Sequence, residues 1–342
     1  MFTAYSKISY FLAMIKKLIL FSIIFPITCF SMPGTEVLFN ANRSVVKVHV
    51  INDKGNYGVG SGVVVAKNYV VTNCHVIANS QGIHVTKYGV SYPPYVLIAD
   101  WKSDLCILKF KFLELKPVTM INAADVEYEL DVFAKGYRGN AARPGSSFGT
   151  VKAKFDYDGN QIIQSSAPFS LGASGGGLFN YDGELLGITT FKTPGRPAFY
   201  YSMPVEIIKE MLANGKEISD TTAPERAFWD RSEDNQPYFM RVVSALNKKD
   251  WSKLMIISED WVKDEPNADE SNFHLGLANY HLNKEGKAYK LFKKVVSQNK
   301  KHTQSYFYLY KIAKAKNNNN EMIEYKKKIE QLDSNLNMEM NE

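Results

Sequence analysis

Leu171-Gly172-Ala173-Ser174-Gly175-Gly176-Gly177-Leu178 decides how this chain is read. A serine stands inside a run of glycines, with apolar, strand-like segments on both sides. Glycine reaches positive φ without steric cost and lets backbone approach a ligand closely. A tight turn of this kind pushes a serine hydroxyl outward and aims two backbone N–H groups at one point. That is the geometry of a nucleophile beside an oxyanion hole. The same residues also suit a plain glycine-rich hairpin, so the rest of the chain has to decide.

Upstream, valine-rich runs at residues 44–50, 58–66 and 69–72 are separated by clusters of Gly, Asn, Asp and Lys. This punctuation predicts an all-β sandwich or barrel, with no long 3.6-residue period before about residue 204. The last of these runs leads into Asn73-Cys74-His75, and Asp104 directly precedes another apolar strand, residues 105–109. Alone, His75 reads as a hydrogen-bonded core residue and Asp104 as a turn or cap residue. With Ser174 they form an ordered set whose chemistry is coherent. A serine hydroxyl needs a neutral imidazole to take its proton. The imidazole needs a carboxylate on its other nitrogen to fix the tautomer and stabilise the imidazolium. The order His, Asp, Ser is that of chymotrypsin-like proteases and differs from the subtilisin and α/β-hydrolase orders.

The segments GSGVVVAKNYVVTNCHVI (60–77), SDLCILKF (103–110), QSSAPFSLGASGGGLF (164–179), ELLGITTF (184–191) and FYYSMPVEIIKEML (199–212) together resemble the trypsin-like serine proteases of the HtrA type. The resemblance covers about residues 38–213. It implies His75 as general base, Asp104 as its orienting acid and Ser174 as nucleophile, with the amides of Gly172 and Ser174 lining the oxyanion hole. Asp100 is the competing acid. Two positions depart from the family: Gly177 where Pro is usual, and Ala173 where Asn or Asp is common. A preference for Lys or Arg substrates would need an acid six residues before the nucleophile, where this chain has Pro168. The expected substrate pocket, lined by Ser170, Thr189, Thr190 and Phe191, suits small or medium apolar residues. The loop from Gly136 to Gly145 shapes the oxyanion hole in the family, or is an ordinary surface loop.

At 342 residues the chain has room for two or three domains, and 45% hydrophobic content is that of a globular protein. The net charge of +6 is scattered, and the lysines of the last third interleave with glutamates as solvated helix faces. This argues against a nucleic-acid groove. Residues 1–31 read as an export signal: Lys16-Lys17, an apolar run at 18–30, and Ser31 as the exit, with Met14 a plausible true start. The run is short for a membrane span, so no stable span is expected once it is removed. A lipid-modified Cys29 is the weaker alternative. An exported chain that loses Cys29 keeps Cys74 and Cys106. These predict a disulfide, the alternative being two buried thiols.

The remaining boundaries follow from composition. The first barrel is expected at about 38–120, the second at 128–203 and a closing helix at 204–213, followed by a polar linker at 214–235. From 236 to 334 the period turns helical. Leu254, Ala288 and Met322 are 34 apart, as are Trp261, Val295 and Ile329. That spacing, with Leu275-Gly276, Ala288 and Phe292 in the middle unit, resembles tetratricopeptide (TPR) repeats. Residues 335–342 read as a frayed tail. The fold class is therefore β then α: a double antiparallel β-barrel of trypsin-like type followed by a TPR-like helical solenoid. A TPR-like groove implies a protein or peptide partner, or serves only to pack against the barrel. His49, His84, His274, His281 and His302 have no metal-ligand spacing with Cys or Asp, so neither metal nor cofactor is expected. The function expected is an exported serine endopeptidase acting on protein or peptide substrates. The alternatives are a catalytically silent binding module and an esterase on the same triad.

Overall fold

The computed structural model describes residues 32–52, 54–139, 141–194 and 198–333. The export signal expected over 1–31 and the tail expected at 335–342 lie outside the described residues. From Gly34 onward the chain forms one unit. It starts with a helix, α1 (Thr35–Ser44), where the sequence pattern had shown no helical period. Only Ala41 and Ser44 of its ten residues are buried, which leaves too weak a stripe to read from sequence.

The first sheet contains β1 (Val45–Asn52), β2 (Tyr57–Ala66), β3 (Tyr69–Asn73), β4 (Ser80–Lys87), β5 (Val90–Tyr92), β6 (Val96–Asp100) and β7 (Leu105–Lys109). A late strand, Glu217–Ile218, pairs with β6, and the antiparallel ladder runs from that strand through β6, β7, β3, β2, β1 and β4 to β5. A barrel was expected here, but the ladder stays open. β5 has three residues and runs into Pro93-Pro94, which lack the N–H donors needed to extend pairing toward β6. A single helical turn, α2 (Cys74–Ile77), links β3 to β4.

The second sheet does close. β8 (Asp131–Gly136), β9 (Gly145–Tyr157), β10 (Asn160–Ser165), β11 (Gly177–Asn180), β12 (Leu185–Lys192) and β13 (Tyr200–Pro204) form a barrel in the order β10-β13-β12-β11-β8-β9. Strand alternation divides β8 between two cores. Val132 and Ala134 pack with Val151, Ile163, Leu178 and Leu186, while Phe133 joins Val45, Val63 and Phe179. Helix α3 (Val205–Asn214) closes the barrel with Val205, Ile207, Ile208 and Met211 buried.

Lys135 shares the Phe133 face of β8 and is only 5% exposed. Its amine donates to Ser146 Oγ at 2.9 Å. The amine of Lys87 donates to the carbonyls of Asn42 and Val45 at the end of α1. Burial pushes Lys135 down from an ordinary lysine's 10.5 to about 8. Lys87 falls to about 8 by burial, reinforced by the charge of Lys135. Below pH 8 both folded and unfolded states carry these protons, and the native state bears the full cost of burying charge. Between about 8 and 10.5 the unfolded state binds more protons, so stability rises with pH. Lys135→Met is therefore expected to stabilise the protein at pH 7 by roughly 1–3 kcal/mol, a gain that fades toward pH 10. Urea unfolding at the two pH values measures this. An equal gain at both would show that buried charge is not what costs stability.

Residues 214–235 were expected to be a polar linker and are instead a strap on the sheets. Glu217 pairs with Ile98, Thr221 Oγ1 donates to Ser80 O, and a 3₁₀ turn at Phe228–Asp230 buries Phe228 completely. Six helices follow in three helix–turn–helix pairs: α4 (Tyr238–Lys248) with α5 (Trp251–Asp264), α6 (Asp269–His281) with α7 (Glu285–Gln298), and α8 (Thr303–Ala315) with α9 (Asn319–Leu332). The starts of α5, α7 and α9, at 251, 285 and 319, are 34 residues apart each time. Gly276 is needed where it stands, since a Cβ there would lie 2.7 Å from the Phe292 ring.

The helices lie against the closed barrel. Phe155 of β9 stacks on Phe239 at 4.6 Å. Tyr128 donates to the buried Glu270 at 3.0 Å, and Lys152 bridges Glu129 and Asp333 at 2.7 Å each. One apolar cluster runs from Val45 through Phe155 to Ile329. Between barrel and helices lie a cavity of about 450 Å³, lined among others by Phe199, Tyr201, Trp251, Phe273 and Tyr308, and another of about 550 Å³ beside Tyr128, Lys154 and Asp269. Among the described residues no helix is long and apolar enough to cross a membrane.

Candidate active site

The glycine-rich loop joins β10 to β11 and is fixed to both sheets. Gly172 and Gly175 have φ of 90° and 84°, and neither has room for a side chain. A Cβ on Gly175 would lie 2.1 Å from Ser61 O, and one on Gly172 would lie 2.6 Å from Gly139 N. Ala173 N donates to Ser170 O and Gly176 N to Ala173 O, both at 2.9 Å. Gly175 N donates to Thr189 O on β12. From the first sheet, Ser61 N donates to Ser174 O at 2.8 Å and Ser61 Oγ to Gly172 O at 2.7 Å, while Tyr137 N donates to the same hydroxyl. Sequence reasoning gave Ser61 no role. Its signal was a small polar residue between Gly60 and Gly62 in an otherwise valine-rich strand. The amides of Ala173, Gly175 and Gly176 are thus engaged, whereas among the described residues no backbone carbonyl takes those of Gly172 and Ser174.

His75 sits in the α2 turn, directly after β3. Its Nδ1 meets Asp104 Oδ2 at 2.6 Å, and its backbone N–H donates to Asp104 Oδ1 at 2.8 Å. Asp104 is 1% exposed and holds a left-handed backbone, φ 60°, a strained conformation of the kind that collects at functional sites. Its carbonyl accepts from Cys74 N and Asn73 Nδ2. The competing acid, Asp100, caps the turn by accepting from Ser103 N at 3.0 Å. Cys74 and Cys106 form a disulfide, which ties the residue before His75 to the strand that follows Asp104. The imidazole is 34% exposed. An Nδ1–H committed to the carboxylate leaves Nε2 as a lone-pair acceptor. Among the described residues no hydrogen bond joins that nitrogen to the Ser174 hydroxyl, a contact that often tightens only when substrate is bound.

Beside the loop, Ala134, Ser147, Pro168, Phe169, Ala173 and Thr189 surround a residual space of only about 10 Å³. Of the four residues expected to form the substrate pocket, Thr189 is here, its hydroxyl donating to Ala173 O at 2.8 Å. The other three are placed differently. Alternation along β12 turns Thr190 toward the first sheet, where its hydroxyl donates to Ile188 O and accepts from Asn73 Nδ2. Phe191 stacks on Tyr201 at 4.7 Å, and Ser170 is exposed at the start of the loop. Sequence reasoning also missed Trp229, whose Nε1 donates to Asp104 Oδ2 at 3.1 Å. Its one signal was a tryptophan in a polar stretch.

Residues 60–188 match the family model of the trypsin-like peptidase domain. Serine protease HTRA1B of Danio rerio is 29% identical over 180 residues, 48% of this chain and 36% of that protein. A probable periplasmic serine endoprotease, DegP-like, of Chlamydia pneumoniae is 32% identical over 171 residues, 46% of this chain and 35% of that protein. The chain thus spans little more than a third of the length of these curated relatives. The active form of the Rv3671c protease from M. tuberculosis has the same fold over 56% of this chain and 92% of its own, with a TM-score of 0.50 and 21% identity. The sequence matches support a serine endopeptidase of the HtrA, trypsin-like type in this part of the chain.

Proposed function

We propose that this protein is an exported serine endopeptidase. The observation that carries the reading is the His75–Asp104 pair, set beside a glycine-bounded serine loop in which, among the described residues, no backbone carbonyl takes the amides of Gly172 and Ser174. Ser174 Oγ attacks the scissile carbonyl carbon while His75 Nε2 takes its proton. The carbonyl oxygen becomes an oxyanion, held by the N–H groups of Gly172 and Ser174. As the tetrahedral adduct collapses, the C–N bond breaks, His75 gives the proton to the leaving amine, and the acyl group stays on Ser174. Water then repeats the sequence to free the acid and restore the serine. Asp104 keeps Nδ1 protonated and steadies the imidazolium.

The 34-residue offset of the helix pairs supports a TPR-like region, with the cavity against β9 as the place for a protein or peptide segment. The Cys74–Cys106 bond supports an oxidising, exported location, periplasmic or secreted. The deciding experiment is labelling with a fluorophosphonate probe, which reacts only with an activated serine. Labelling is expected in the parent protein and absent in both Ser174→Ala and His75→Ala. Equal labelling of Ser174→Ala would sink the assignment.

A further inference from the structure

Asp104 receives a donor from outside both sheets. Its Oδ2 takes Trp229 Nε1 at 3.1 Å as well as His75 Nδ1 at 2.6 Å, and its Oδ1 takes the His75 amide at 2.8 Å. With the side chain sealed from water, these three donors are, among the described residues, the solvation of the carboxylate. The nearby hydroxyl of Thr190 is committed to Ile188 O and so supplies none.

Trp229 is held firmly. Its ring stacks on Phe191 at 5.7 Å and 16°, and stands edge-on to His75 at 5.5 Å and 85°. Its carbonyl accepts from Gln236 Nε2 at 2.9 Å. The preceding Phe228 donates its N–H to Lys102 O and lies against Tyr157 at 4.3 Å and Phe239 of α4 at 6.4 Å. A contact path therefore runs from the first helix of the C-terminal region, through Phe228, to the carboxylate behind the imidazole.

We infer that Trp229 is a positioning residue for the proton relay. It fixes the Asp104 carboxylate so that Oδ2 faces Nδ1, it walls one side of His75, and the helical region sets its place through Phe228. This rests on the reading of Ser174, His75 and Asp104 as a protease triad. The helical region is then a structural part of the catalytic apparatus.

The test uses the full-length protein with Trp229→Phe, which keeps a ring against Phe191 and removes the N–H. Losing a hydrogen bond to a charged group is expected to lower kcat about ten- to a hundredfold with KM nearly unchanged, and with thermal unfolding close to that of the parent. Phe228→Ala, which leaves Trp229 chemically intact, is expected to reproduce part of that loss. A Trp229→Phe enzyme with parental kcat overturns the inference, and so does a faster one, which would make the strap an inhibitor. If the parent turns over no peptide and takes no fluorophosphonate, the protease reading fails instead. Proton NMR then decides about Trp229. The downfield Nδ1–H resonance of a His75–Asp104 bond should move or broaden in Trp229→Phe, and an unmoved resonance overturns the positioning role.

Discussion

Ser174→Ala is expected to lower kcat on a peptide substrate by about 10⁴–10⁶ while leaving the fold intact. The two halves of that statement have separate causes. The loss follows because the acyl-enzyme route disappears, leaving only what bound water and the oxyanion amides achieve. The intact fold follows because the Ser174 hydroxyl makes no hydrogen bond among the described residues, while its carbonyl, which does, is untouched by the change. Alanine at a half-exposed position also creates no cavity. The measurement is kcat with an internally quenched peptide, alongside urea unfolding of both proteins. Turnover within tenfold of the parent would remove Ser174 from the mechanism.

Removing the Cys74–Cys106 bond is expected to cost roughly 3–4 kcal/mol, the loop-closure term for cysteines 32 residues apart. The cost should also reach the site. The bond spans the elements that carry His75 and Asp104, and without it that corner rests on the ladder of β3 on β7 and on the hydrogen bonds of Asn73, Cys74 and His75 to Asp104. The paired Cys74→Ala, Cys106→Ala variant should therefore unfold at lower urea and lose part of its fluorophosphonate reactivity even while folded. Two titratable thiols in the purified parent, together with unfolding insensitive to reductant, would show that the bond is absent from the working protein.

How much of this could be read from the chain depended on how local each signal was. The His75–Asp104 pair was legible because an apolar run directly precedes the one and directly follows the other, whereas Ser174 lies in the loop between β10 and β11. The β character of the first sheet was legible for the same reason, through its valine-rich runs between turn clusters. The features missed are tertiary ones. Ser61 matters because β2 happens to pass under the Ser174 loop. Trp229 matters because a polar strap folds back 125 residues later onto Asp104. A one-residue step along β12 exchanges faces, so Thr189 and its neighbour Thr190 serve different sheets, a distinction that two adjacent threonines do not reveal in sequence. The open edge of the first sheet turned on Pro93-Pro94, whose missing donors matter only once the neighbouring strand is known.

The stacking of Phe155 on Phe239 bears on how the molecule is made. Synthesis delivers β9 roughly eighty residues before α4, and the aromatic face around Phe155 and Tyr201 has no cover until the helices arrive. A barrel finished early would hold a sticky surface in water while the rest of the chain is still emerging. The native arrangement, in which one apolar cluster reaches from β1 to α9, fits a late, concerted collapse rather than a sequence of finished domains. On that view the active-site corner is completed in the same event that seats the strap.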